Sequence, residues 1–150
     1  MGNIVSIYGG HDSNVTFYHE ECDEYHVIEL ERLVKKRYFR LHVDNSREFI
    51  ESILNQCQHI AENFWGMTND YDCVLVGSDG WIDRSIIPNI FNTKAISTVS
   101  THHECHAAIS YYQSPFDKAL VFCYAGGCND GSFNVYVAEG RHNKHINNLR

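Results

Sequence analysis

Apolar and polar positions along the chain follow two rhythms. Between residues 46 and 65, Phe49, Ile50, Ile53, Leu54, Cys57, Ile60, Ala61 and Phe64 recur at the spacing of one helical face. Ser46 stands where an N-cap belongs, and Gly66 follows the last periodic position as a stop. The pattern predicts a helix near 46–65 whose stripe is core rather than a cofactor box. Elsewhere the rhythm shortens to strand-like runs at 3–8, 15–18, 25–30, 71–76, 94–99, 118–124 and 133–137, rich in β-branched and aromatic residues. Residues 81–94, with Pro88, read as irregular, and the polar tail from Glu139 reads as frayed. Strands interleaved with helices make the fold class mixed α/β.

A second helix is predicted at 102–113, capped by Ser100 or Thr101 and broken at Ser114-Pro115. Its start carries the densest chemistry in the chain, His102-His103-Glu104-Cys105-His106. On a helix, His102 and His106 at i and i+4 share one face and can close on a single metal ion. His103 and His106, at i and i+3, are the competing pair. Chance clustering at a helix start, in a chain with 10 histidines, is the plain alternative.

Composition narrows the function classes. At 150 residues, 43% hydrophobic and 21% charged, the chain fits one globular domain with a real core. Its net charge of -7, with no basic patch interleaved with aromatics, disfavours nucleic acid as a ligand. No apolar run approaches the ~18 residues of a membrane span. The start fits a myristoylation pattern loosely, but Ile4, Val5 and Ile7 read better as a buried strand. Six cysteines contain no C-x-x-C pair, and several lie in apolar runs. They read as free thiols in a reducing compartment, so the expected location is cytoplasmic. A structural zinc site using Cys105 or Cys128 with the histidines is a further reading, though the spacing is not that of a ribbon or finger.

Two loops repeat a plan. Tyr8-Gly9-Gly10-His11-Asp12-Ser13 separates one pair of strands, and Tyr124-Ala125-Gly126-Gly127-Cys128-Asn129-Asp130-Gly131-Ser132 separates another. Glycines let a ligand approach the backbone, and a His-Asp pair in the first turn adds acid–base groups. A plain hairpin turn is the alternative. Between them, Arg32, Lys35, Lys36, Arg37 and Arg40 form a basic segment, either a solvated turn or a cradle for phosphate or carboxylate.

Taken in order, Tyr8-Gly9-Gly10-His11-Asp12-Ser13, Glu31-Arg32 with the basic run to Lys36, His102-His103-x-x-His106-Ala107-Ala108, Tyr112-x-Ser114-Pro115-Phe116-Asp117-x-Ala119 and the Gly-Gly to Asp130-Gly131-Ser132 stretch resemble a family. It is the N-terminal part of O-carbamoyltransferases of the nodulation-protein and antibiotic-tailoring type. The resemblance implies the first lobe of an actin-like ATPase (ASKHA) fold at 1–115, related to tRNA threonylcarbamoyl transferases, with the opening hairpin of a second lobe at 116–150. It implies a divalent metal, iron-type or zinc, on His102 and His106, with catalytic roles for His11, Asp12 and Lys36. Gly9, Gly10, Gly126, Gly127, Asp130 and Gly131 would bind phosphate or nucleotide. Carbamoyl-adenylate, made from ATP and carbamoyl phosphate by a C-terminal domain or partner chain, would donate the carbamoyl group to an acceptor alcohol. Ala125 and Tyr38 depart from the family's usual acidic residue and histidine. The rest of the second lobe and the adenylate-forming domain would lie beyond residue 150, as part of a longer protein or as a partner of a reduced one. A non-catalytic metal- or nucleotide-binding remnant is the rival function, and the unpaired hairpin edge admits a homodimer.

Overall fold

The computed structural model describes residues 2–41, 44–77, 82–99, 102–128, 131–140 and 145–148. They divide into two compact units, Met1–Val99 and Ser100–Arg150.

The first unit is a five-stranded mixed sheet in the order β3-β2-β1-β4-β5. Strands β1 (Ile4–Tyr8), β2 (Asn14–His19) and β3 (Glu24–Glu29) form an antiparallel meander, because short loops can only return the chain beside itself. β4 (Cys73–Gly77) and β5 (Ile96–Val99) run parallel to β1, reached through helical connections. The register aligns Val5 with Phe17 and Val74, and Ile7 with Val15 and Val76. All six are buried on one face.

That face shares its core with α2 (Arg47–Trp65), through Ile50, Ile53, Leu54, Cys57 and Ala61. The Ser46 hydroxyl accepts from the Phe49 N–H at 3.2 Å, and Gly66 ends the helix in the left-handed conformation at φ 66°. One polar pair crosses this core. The buried Tyr71 hydroxyl donates to Gln58 Oε1 at 2.7 Å, and Gln58 Nε2 donates to Glu62. A short helix α1 (Leu30–Leu33) follows β3 directly.

The second unit packs α4 (His102–Tyr112) on an antiparallel sheet of β6 (Lys118–Cys128), β7 (Gly131–Glu139) and β8 (His145–Asn148). Ala107 of α4, Cys123 of β6 and Tyr136 of β7 form its small core. The Tyr111 hydroxyl donates to the Asp117 carbonyl at 2.7 Å and ties the helix end to the entry of β6.

Three expectations are corrected. The segment 81–94 is not wholly irregular: a 3-10 turn at Arg84–Ile86 leads into α3 (Ile87–Ile90), with Pro88 in the first turn, where a missing N–H costs nothing. Four residues are too few to show a period. The tail is not wholly frayed, because β8 pairs with β7 through its backbone, and such pairing leaves no hydrophobic signature. β6 does not stop at Tyr124. It continues through Gly126 to Cys128, with a register shift against β7 that absorbs the extra residues.

Candidate functional site

On α4 the side chains of His102 and His106 turn toward each other. Their Nε2 atoms are 3.0 Å apart and the ring centroids 4.5 Å apart. Two facing nitrogens at that spacing either share a proton or present two lone pairs to one point. At a nitrogen–metal distance of about 2.1 Å, this separation subtends roughly 90° at a shared ion. The donor set therefore fits a borderline cation such as iron or zinc. Among the described residues, no group of three or more His, Cys, Asp or Glu converges on such a point. Cys105 is exposed and forms no such group with the histidines.

His103, a member of the competing pair, is packed inside. It turns into the interior of the second unit, 1% exposed, with its Nδ1 accepting from Asn134 Nδ2 at 3.1 Å. His103, Ala107 and Tyr111 are the buried stripe of α4, so His102 and His106 lie along the adjoining, more open stripe.

The first glycine loop joins β1 to β2. Gly9 and Gly10 are buried, and a Cβ on Gly10 would come within 2.5 Å of the Tyr8 hydroxyl, so a larger residue there would push the free end of the tyrosine ring aside. Asp12 takes the left-handed backbone at φ 58°, and its carbonyl accepts from Asn14 Nδ2 at 3.2 Å. The exposed Asp12 carboxylate accepts from His11 Nδ1 at 2.8 Å, which leaves His11 Nε2 as the ring's basic nitrogen.

Ser13, fully buried, ties this loop to the basic segment. Its hydroxyl donates to the Phe39 carbonyl at 2.9 Å and its carbonyl accepts from the Leu30 N–H at 2.9 Å. The two contacts hold both ends of 30–39 against the loop. Sequence reasoning missed this role, because a serine bonded to a backbone 26 residues away leaves no local signal.

Inside that segment the chain is strained, with Lys35 at φ 55° and Tyr38 at φ 57°. The Tyr38 N–H donates to Glu31 Oε2 at 3.0 Å, and the Arg37 guanidinium lies 4.9 Å from the Tyr38 ring centroid. Arg32 pairs with Glu29. Lys36 is exposed and lines a cavity of about 450 Å³ with Phe39, Phe49 and Ile53, to which the 8–13 loop contributes no residue.

The second glycine loop differs from the first. Gly126 lies within β6, with open space where a Cβ would project. Gly127 follows in the same strand and Gly131 opens β7. Asp130 lies outside the described residues, as do Ser100 and Thr101, the expected caps of α4. Among the described residues, Gly9 and Gly10 lie in a loop between strands, whereas Gly126 and Gly127 lie within a strand. The 8–13 loop and the basic segment belong to Met1–Val99, and the histidine pair and second hairpin to Ser100–Arg150.

Comparison with known proteins adds the following. The family model described as "Carbamoyltransferase N-terminus" matches residues 8–149. Among solved structures, full-length HypF in its phosphate- and nucleotide-bound form is similar, with a TM-score of 0.56 at 14% identity. The match covers 97% of this chain and 21% of HypF, so the chain spans about a fifth of that neighbour's length. No curated protein matches the chain. Among the described residues, no helix is long and apolar enough to cross a membrane.

Proposed function

Because the chain belongs to the carbamoyltransferase N-terminus family, we propose that it is the acceptor-activating and metal-holding part of an enzyme that moves a carbamoyl group from carbamoyl-adenylate to a hydroxyl. The observation that carries this reading is the 3.0 Å approach of the His102 and His106 Nε2 atoms. On this reading the protein is cytoplasmic, and the mixed sheet of the first unit is an actin-like lobe.

His102 and His106 would hold the metal, whose chemistry when bound is to polarise the carbamoyl oxygen or neutralise phosphate charge. The other roles fall to the chain's own groups. The Asp12 carboxylate accepts a hydrogen bond from His11 Nδ1–H, which orients the ring and keeps Nε2 free to take the acceptor's hydroxyl proton. The hydroxyl oxygen then forms a bond to the carbamoyl carbon, the bond from that carbon to the phosphate oxygen breaks, and AMP leaves. The exposed Lys36 ammonium would offset charge on the departing phosphate. The glycine backbone of the two loops would let phosphate oxygens approach N–H groups. An adenylate-forming domain or partner chain would supply the donor.

The rival reading is a remnant that binds metal or nucleotide without transferring anything. The convergence of only two metal donors among the described residues favours it. A relative of the threonylcarbamoyl transferases acting on tRNA is a further alternative, disfavoured by the net charge of -7. The test is to count metal per chain after chelator-free purification, for the unaltered protein, His102→Ala and His106→Ala, and then to assay transfer with an adenylate-forming partner supplied. Stoichiometric metal lost in both variants, with transfer restored by the partner, supports the enzyme. Metal without transfer leaves the remnant, and no metal, or equal metal in the variants, overturns the metal-dependent enzyme and the metal-binding remnant alike.

A further inference from the structure

We infer that His103 and Asn134 are positioning residues for the histidine pair, acting as a buried peg that sets the rotation of α4. The inference rests on the metal reading above for its consequence, and on packing for its argument. His103 and Asn134 are each 1% exposed, a rare fate for two polar side chains. The two meet through the 3.1 Å contact from Asn134 Nδ2 to His103 Nδ1, while the buried His103 Nε2 has no hydrogen-bond partner among the described residues. A buried amide and a buried imidazole that meet inside a packed layer tolerate little rotation, since turning the helix would separate both from a partner that water cannot replace.

The helical step of about 100° per residue converts that fixed point into a fixed site. His102 precedes the peg by one residue and His106 follows it by three, which puts both on the same flank of the helix, roughly 40° apart. Ala107 and Tyr111 continue the peg's stripe into the second unit's core, and the Tyr111 hydroxyl bond to the Asp117 carbonyl anchors the far end. With the stripe seated on β6 and β7, the two Nε2 atoms have one direction to face. Leucine at 134 would keep the packing and remove the donor. Phenylalanine at 103 would fill the space and remove the acceptor. Asparagine at 103 would return an oxygen acceptor close to the position of Nδ1.

The experiment titrates cobalt(II) into the full chain and its variants, with the fold checked by circular dichroism. It also records imidazole ¹⁵N spectra of the metal-free proteins. Asn134→Leu and His103→Phe are expected to weaken cobalt by about tenfold or more, the size of second-layer effects at metal sites, while His103→Asn stays within about threefold of the unaltered chain. In the metal-free spectra, the paired His102 and His106 Nε2 signals should persist in His103→Asn and separate in His103→Phe. A folded His103→Phe or Asn134→Leu that binds cobalt as the unaltered chain does overturns the peg. So does a His103→Asn that loses as much as His103→Phe. If His103→Phe does not fold, Asn134→Leu and Asn134→Ser decide. If the unaltered chain binds no cobalt, the metal reading fails by itself, and the ¹⁵N spectra alone decide whether the peg sets the pair.

Discussion

Asp12 is the residue where structure and chemistry compete most openly. Its φ of 58° is a conformation that asparagine and aspartate tolerate better than other side chains, and glycine best of all. The carboxylate meanwhile orients His11. The two functions separate by substitution. Asp12→Ala should lower stability by about 1 kcal/mol, whereas Asp12→Gly should leave it unchanged or raise it. Both should cut carbamoyl transfer by about a hundredfold if Asp12 orients a general base. Thermal melts read the first effect and turnover with the adenylate-forming partner the second. An Asp12→Gly variant with full turnover would reduce the residue to a turn former. At the same scale, the sequence left two histidine pairs open; in the fold His103 is buried against Asn134, and His102 and His106 face each other. Position 134 looked like an ordinary strand residue.

Among elements, α2 keeps its predicted bounds and caps, but the predicted core stripe is narrower than expected: Phe49 and Phe64, at the two ends of the helix, are exposed. The Ser46 hydroxyl satisfies an amide that the first turn would leave open, and Gly66 reverses the chain while the Met67 N–H bonds the Ala61 carbonyl at 3.1 Å. Glu48 in the first turn has its carboxyl held below the usual range by its own backbone amide and by Ser46. Ser46→Ala should cost about 1 kcal/mol. Gly66→Ala should cost about the same, through backbone strain alone, since nothing stands within 4 Å of the added methyl group. Urea titrations of both variants check the pair, and an unaffected Gly66→Ala would mean that the left-handed cap does not persist in solution. The short elements were less legible. α1 and α3 span four residues each, barely one helical turn, too short for a repeat to show. β8 is built from polar residues that only a neighbouring strand makes regular.

At the scale of the whole molecule, stability in base follows from the buried groups near α2. Burial pushes the Tyr71 hydroxyl up from 10.0 to about 12, and the Cys57 thiol up from 9.0 to about 12. Both groups ionise in the unfolded chain at lower pH than in the folded one. Their contribution is therefore complete below about pH 9 and is lost as pH rises toward about 12. Tyr71→Phe strands Gln58 Oε1 and should cost about 1 kcal/mol at neutral pH. Its stability should then fall less steeply in base, so that the two curves converge above about pH 11. Urea midpoints measured across that range test this. Parallel curves would show that Tyr71 does not titrate with unfolding.

The residue string by itself determined what local physics can encode: the long amphipathic helix and its caps, the core strands, the i,i+4 spacing of His102 and His106, and an ordered set of motifs specific enough to place the chain in its family. Each is written in neighbours no more than a few residues apart, or in their order. The tertiary structure alone decided which face of α4 is buried, that Ser13 fastens the first glycine loop to the basic segment, and that Gly126 and Gly127 lie within a strand. Those outcomes depend on contacts between residues far apart in sequence, such as 13 with 39 and 103 with 134. A buried hydrogen bond of that kind is selected by the partner it meets, and no periodicity announces the partner.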